Sequence, residues 1–194
     1  MTSTTADDVR RSAARVPLEV PPTLVGRVMA WYSRRAYGDV LDTGLAMLHN
    51  RRVLKAVMGF ERRVAGWKAL DPDLKTLALM ASASRIGCSW CVDFGWFAAH
   101  SDGLDVSRLE ELPRWRESEV FTALERDVIE YAEAMTATPP EVTDELAARL
   151  RGSLGDEAFV ELTMMVAVEN ERSRFNSALG LSSQGFKDRC ELRG

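Results

Sequence analysis

Asp71-Pro72-Asp73-Leu74-Lys75-Thr76-Leu77-Ala78-Leu79-Met80-Ala81-Ser82-Ala83-Ser84-Arg85-Ile86-Gly87-Cys88-Ser89-Trp90-Cys91-Val92-Asp93-Phe94 is the stretch on which the fold turns. Proline is pre-organised for a first helical turn and aspartate caps its unpaired N–H groups, so Asp71-Pro72-Asp73 predicts a helix running to about Arg85. Leu74, Leu77, Ala78, Met80 and Ala81 form its broad apolar face. Gly87 breaks that helix, and Val92, Phe94, Trp96, Phe97 and Ala98 carry the next one toward Ser101-Asp102-Gly103. Two of the chain's three cysteines, Cys88 and Cys91, therefore fall in a C-x-x-C near a helix N-terminus. There the macrodipole and free N–H groups favour thiolate over thiol, which is the chemistry disulfide exchange needs.

Working outward, apolar residues recur at helical spacing on both sides. Val25, Val28, Met29, Tyr32 and Ala36 mark a helix from Leu24 that Gly38 stops, followed by stretches over 39–48 and 51–67. Beyond Pro113, residues 117–137 read as helix through Phe121, Leu124, Val128, Tyr131 and Ala132, with further helices over 143–150 and 156–179. No stretch alternates long enough to demand a strand, so the fold class is all-α. Leu77, Met80 and Ala83 echo the spacing of Leu162, Met165 and Val168, as a duplicated helical unit would, though two independent amphipathic helices produce the same pattern and are the preferred reading. The expected organisation is a flexible polar arm over 1–22, closed by Pro21-Pro22, a multi-helix domain over 23–186, and a polar tail over 187–194.

With 194 residues and a formal charge of -4, one sizeable core is expected and a nucleic-acid footprint is not. Arg51-Arg52 and Arg62-Arg63 read as a solvated face, without aromatic stacking platforms beside them. The polar N-terminus lacks a continuous apolar segment, so the expected location is cytoplasmic, with no membrane partner. An odd cysteine count argues against a structural disulfide framework. For Cys88 and Cys91 the redox reading stands beside two others: buried thiols acting as small hydrophobes, and a zinc site. The latter would need ligands from among His49, His100 and the distant Cys190, and no metal or other cofactor is expected.

The helix opened by Asp-Pro-Asp, the string Gly87-Cys88-Ser89-Trp90-Cys91-Val92-Asp93-Phe94, and the ending Asn170-Glu171-Arg172-Ser173-Arg174-Phe175-Asn176 with Gly180 and Ser183-Gln184-Gly185-Phe186 together resemble the carboxymuconolactone decarboxylase and alkylhydroperoxidase D-like family. The resemblance covers roughly residues 70–186. It implies an all-α homo-oligomer, a trimer or a multiple of one. It also implies, in the peroxidase members, reduction of hydroperoxides through the C-x-x-C with an external thiol reductant. In those members a Glu twelve residues before the first Cys and a His four after the second relay the proton, and the second Cys, here Cys91, is coupled to that relay. This chain has Thr76 and Gly95 at those positions. Neither can act as base or acid.

Candidate supporting residues are consequently Arg85, Asp93, Thr76 and Glu161. Arg85 could lower a thiol pKa through its fixed charge or meet the orphan carbonyls at its helix end. Asp93 lies about 200° around the helix from Cys91 and suits a cap better than a base. Glu161 occupies, before Leu162, the place Thr76 holds before Leu77, and is a substitute base, with Glu169 further along the same helix. Trp90 and Trp96 line a pocket or fill core; Asn170 and Arg174 orient a substrate acid or satisfy buried backbone groups; Cys190 is a resolving thiol or incidental. His100, nine residues past Cys91, points to the opposite side of the helix about 13 Å away.

The expected function is a thiol–disulfide oxidoreductase with weak hydroperoxide reductase activity, acting on a small peroxide or disulfide. The alternatives are a relay-deficient homologue kept for redox sensing, binding or assembly, and a carboxymuconolactone-type decarboxylase. Five Trp, seven Phe and eight Met add to the expectation of a homo-oligomer.

Overall fold

Asp71 accepts hydrogen bonds from the N–H groups of Asp73 and Leu74 at 2.9 and 3.3 Å, opening the central helix where the sequence places it. The computed structural model describes residues 6–191, with the side chains of 7–188. Ten α-helices and one 3₁₀ turn make up its regular structure, with no strand among the described residues. They are α1 (Ala6–Ala13), α2 (Leu24–Tyr37), α3 (Asp42–Leu48), α4 (Arg51–Val64), α5 (Pro72–Ile86), α6 (Ser89–Ser101), α7 (Ser107–Glu111), α8 (Ala123–Thr136), α9 (Asp144–Ala178) and α10 (Phe186–Glu191), the 3₁₀ turn being Leu112–Arg114. The fold is all-α, as expected.

The chain divides into two compact units, one comprising the chain up to Gly66 with Ala178–Leu181, the other Trp67–Ser177 with the chain from Ser182 onward. In the first unit, residues 6–13, within the segment expected as an arm, form α1. Its buried Arg10 is ion-paired with the buried Asp42 of α3. The chain after α1 is tied by Arg15, whose backbone N–H reaches Leu179 O at 2.8 Å and whose guanidinium reaches Ala178 O. A pair removed from water at both ends holds a polar helix that its own composition would not have docked. The expectations for residues 1–5 and 192–194 lie outside the described residues.

The second unit is built around α5. Leu74, Leu77, Ala78, Met80 and Ala81 are buried, and α8 lays Val128, Ile129 and Ala132 into the same core. The expected helix over 117–137 begins only at Ala123, because the Thr122 hydroxyl accepts the Glu125 N–H while the Glu125 carboxylate accepts the Thr122 N–H. That reciprocal cap fixes the first turn, and Arg126 holds the preceding loop through the carbonyls of Trp115, Ser118 and Phe121. The two helices expected over 143–150 and 156–179 are continuous in α9 apart from Gly155, whose φ of 76° interrupts the helical path.

At the other end of α5 the closure is tight. Gly87, at φ 79°, gives its N–H to Ala83 O and Ser84 O, and Cys88 gives its own to Ala83 O, a Schellman-type stop that needs a left-handed residue. Cys88 is then already the N-cap of α6. Only Gly87 and the N-cap Cys88 separate the two helices, and this is what fixes the cysteines at a helix start.

Candidate redox site

Cys88 and Cys91 are joined in a disulfide with their Cα atoms 5.3 Å apart. Cys88 is 1% and Cys91 8% exposed, so the bond is nearly closed to solvent. The Cys88 sulfur accepts the Cys91 backbone N–H at 3.2 Å, the bond a capping side chain makes to the first turn. The Cys91 sulfur is met from α9, where the Asn176 Nδ2 lies 3.4 Å away and donates to it. Asn176 is 2% exposed and its Oδ1 has no hydrogen-bond partner among the described residues.

A strap from the C-terminal segment lies over the start of α6. The Asp93 carboxylate accepts three backbone N–H groups, from Gln184 at 2.8 Å, Phe186 at 3.1 Å and Lys187 at 2.8 Å. Asp93 is thus a cap, but for α10 and its approach rather than for its own helix. Trp90 donates its indole N–H to Gln184 Oε1 at 2.9 Å and stacks on Phe94 at 5.1 Å, and Phe94 meets Phe186 edge-on. Beside this strap an open groove of about 670 Å³ runs along α6, lined by Met80, Val92, Trp96, Leu109 and Lys187 among others.

The other sequence-predicted residues are placed apart from the sulfurs or in bonds of their own. Arg85 is exposed at the end of α5. Thr76 lies in the first half of α5 beside Ala99, Leu104 and Arg108, and Ala99 is eight residues, about 12 Å, past Cys91 along α6. Glu161 pairs with Lys75 at 2.6 Å and accepts the Ala69 N–H at 2.8 Å. Burial alone would raise its carboxyl pKa, but the Lys75 ammonium and the backbone N–H groups outweigh it and hold the value below the usual range. Its partner Lys75 lies thirteen residues before Cys88 in sequence, near the opposite end of α5, so Glu161 serves the fold there. Glu169, buried, accepts the Ser173 hydroxyl at 2.7 Å. Asn170 and Arg174 close the C-terminal end of α8 through Thr136. His100 is exposed and stacked on Trp96; His49 belongs to the first unit, bonded to Pro17 O. The Cys190 side chain lies outside the described residues.

Position 95 is closed as well as empty of a base. A Cβ at Gly95 would stand 2.6 Å from the Met80 Sδ, so the methionine thioether occupies the space a longer residue would use. The residue sequence reasoning missed is Asn176. Its signal was available: Leu162, Val166, Glu169, Ser173 and Asn176 share one face of α9, all buried, and the face changes from apolar to polar as it reaches the sulfurs.

Comparison with known proteins supplies the family. The profile of the Carboxymuconolactone decarboxylase family matches residues 51–134. The uncharacterized protein YnjA of Escherichia coli strain K12 is 34% identical over 174 residues, 88% of this chain and 93% of YnjA. The chain belongs to the carboxymuconolactone decarboxylase family. Among solved structures of this fold, Agrobacterium tumefaciens ATU0492, a protein of unknown function proposed to be an antioxidant defence protein AhpD, is 25% identical with a TM-score of 0.66, covering 71% of this chain and 94% of that one. A cysteine variant of the debrominase Bmp8 in complex with 2,3,4-tribromopyrrole shares the fold at 18% identity, with a TM-score of 0.77 over 93% of this chain and 98% of that one. The family includes enzymes, and no helix among the described residues is long and apolar enough to cross a membrane.

Proposed function

We propose that this family member is a thiol–disulfide oxidoreductase that cycles Cys88 and Cys91 between dithiol and disulfide, with slow hydroperoxide reduction as one use of the cycle. The carrying observation is the disulfide itself, formed across the first turn of α6 with a donor against each sulfur. With a hydroperoxide, one thiolate attacks an oxygen, the O–O bond breaks, and an alcohol leaves after taking a proton while the sulfur becomes a sulfenic acid. The second thiol attacks that sulfur, water leaves and the disulfide forms. With a disulfide substrate, the same pair gives two electrons through a mixed disulfide. An external thiol reductant reopens the bond in either case, and the cycle suits a cytoplasmic setting.

Slowness follows from the residues. General acid–base help contributes about 100- to 10,000-fold, and Thr76 and Gly95 offer none. The test is turnover: the reduced protein, given a hydroperoxide or a small disulfide with excess dithiol, should consume substrate repeatedly, and Cys88→Ser or Cys91→Ser should abolish it. A single stoichiometric oxidation would instead make the pair a sensor, and indifference to both oxidants would leave the decarboxylase reading.

Homo-oligomerisation, as a trimer or hexamer, is part of the same reading. Its support is the outward face of α2, where Leu24 is 70%, Val28 56%, Trp31 67% and Tyr32 59% exposed while the small Gly26, Ala30 and Ser33 face in. A stripe of this kind is what a second copy would cover. Light scattering at low micromolar concentration should give a multiple of 21.6 kDa; a monomer mass would overturn the oligomer.

A further inference from the structure

The Asn176 amide is mismatched to the state in which it is seen. A disulfide sulfur is a weak acceptor, yet it is what the buried Nδ2 donates to, and the Oδ1 of the same amide is left with nothing. A thiolate at Cys91 would be a strong acceptor for that donor, and a Cys91 thiol could give its S–H to the oxygen if the amide turned over. We infer that Asn176 is the positioning residue of the redox pair, stabilising the Cys91 thiolate and so making Cys91 the sulfur that carries charge at a place where no base stands. The inference rests on the redox reading of the pair given above.

The two sulfurs are served differently. Cys88 takes a backbone N–H of the first turn, a donor no side-chain substitution removes. Among the described residues Cys91 has only a side chain from another helix, fifteen residues past Glu161 and therefore about 22 Å from that ion pair along α9. Among the described residues, the charged groups on the elements packed here are engaged elsewhere or exposed. Asp93 holds the three N–H groups of the strap, Lys187 pairs with Glu110, Glu169 takes the Ser173 hydroxyl, and Arg85 is exposed. The nearby nucleophile Cys88 is itself bonded to Cys91 in this state. A neutral amide thus supplies the one side-chain hydrogen bond that distinguishes the Cys91 sulfur, and hydrogen bonding to a charged form lowers its pKa.

The test uses the full chain with Cys88→Ser, so that a single sulfur of the pair titrates, and follows Cys91 by the pH dependence of iodoacetamide alkylation read by peptide mass spectrometry. Asn176→Leu removes the donor at similar volume and should raise the Cys91 pKa by about one unit, slowing alkylation at neutral pH roughly tenfold. Asn176→Asp keeps the shape and puts a carboxylate against the sulfur, so it should raise the pKa at least as far; it decides the matter should the Leu variant not fold. Leu162→Val, on the same buried face but away from the sulfurs, is the packing control and should leave the pKa in place. A Cys91 pKa unchanged in Asn176→Asp, or raised equally by Leu162→Val, overturns the inference. Failure of the parent protein to turn over would sink the redox reading separately, since the pKa comparison needs no turnover.

Discussion

The two ends of the second half of α9 hold the same kind of object, a polar side chain reaching to the α5–α6 hairpin, in opposite conditions. At Glu161 each oxygen faces a partner of opposite polarity: an ammonium at 2.6 Å and a backbone N–H at 2.8 Å, which hold the carboxyl in its charged form. At Asn176 half of the amide has no partner and the other half rests on a sulfur that accepts poorly. The ion pair and the backbone bond at the first end tie the Trp67–Leu70 segment to the helix and hold the carboxyl below its usual range. Incomplete satisfaction at the second leaves capacity that only a change in the sulfurs would use. The Glu161 carboxylate is thus no source of reactivity, because its partners hold it in its charged form.

The strongest way to break that contrast is to supply the missing relay. Gly95→His alone should give no gain in peroxide reduction and should cost about 1–3 kcal/mol of stability, since the new Cβ meets Met80 Sδ. Thr76→Glu with Gly95→His and Met80→Ala, which clears that space, should raise the rate about 100-fold or more, measured as peroxide consumption with excess dithiol. If the parent is already as fast as the triple variant, a base acts there that the geometry does not identify.

Next in size is the closed end. Lys75→Met leaves a mostly buried carboxylate without its cation and should cost about 2–4 kcal/mol in urea unfolding at pH 7, while the Cys91 alkylation rate stays put. A coupled loss of thiol reactivity would show that the two ends are one network after all.

The smallest effect is in acid. The Glu161 carboxyl lies below its ordinary value in the folded protein, as does Glu125, where burial pushes upward and the Arg108 and Thr122 hydrogen bonds pull down further. Folded values below unfolded ones contribute stability that is present above the unfolded pKa, about 4.3, and is lost as pH falls through the folded value. The urea midpoint should therefore decline as pH drops below about 5, and Lys75→Met should decline less steeply over that window. Equal slopes would mean that Glu161 is not held in its charged form by Lys75.

The sequence by itself determined the helices whose ends carry their own instructions: Asp71-Pro72 and Gly87 around α5, Gly38 after α2, and the C-x-x-C that Gly87 forces onto the start of α6. Those signals are local, since caps and left-handed stops act within a few residues of themselves. It also exposed the absence of the relay at Thr76 and Gly95. It did not foresee the helices over residues 6–13 and 186–191, where α1 is held by Arg10 against Asp42 and α10 by Asp93, because a polar segment docks through partners far away in sequence. It expected Val25, Val28 and Tyr32 to mark a helix and could not say that this face of α2 points outward. Only the tertiary structure set Met80 over Gly95, matched Lys75 to Glu161, and brought Asn176 to Cys91 across 85 residues of chain. Periodicity says which residues share a face, whereas the group a buried polar atom meets, and so what it can do, is decided by which faces come together.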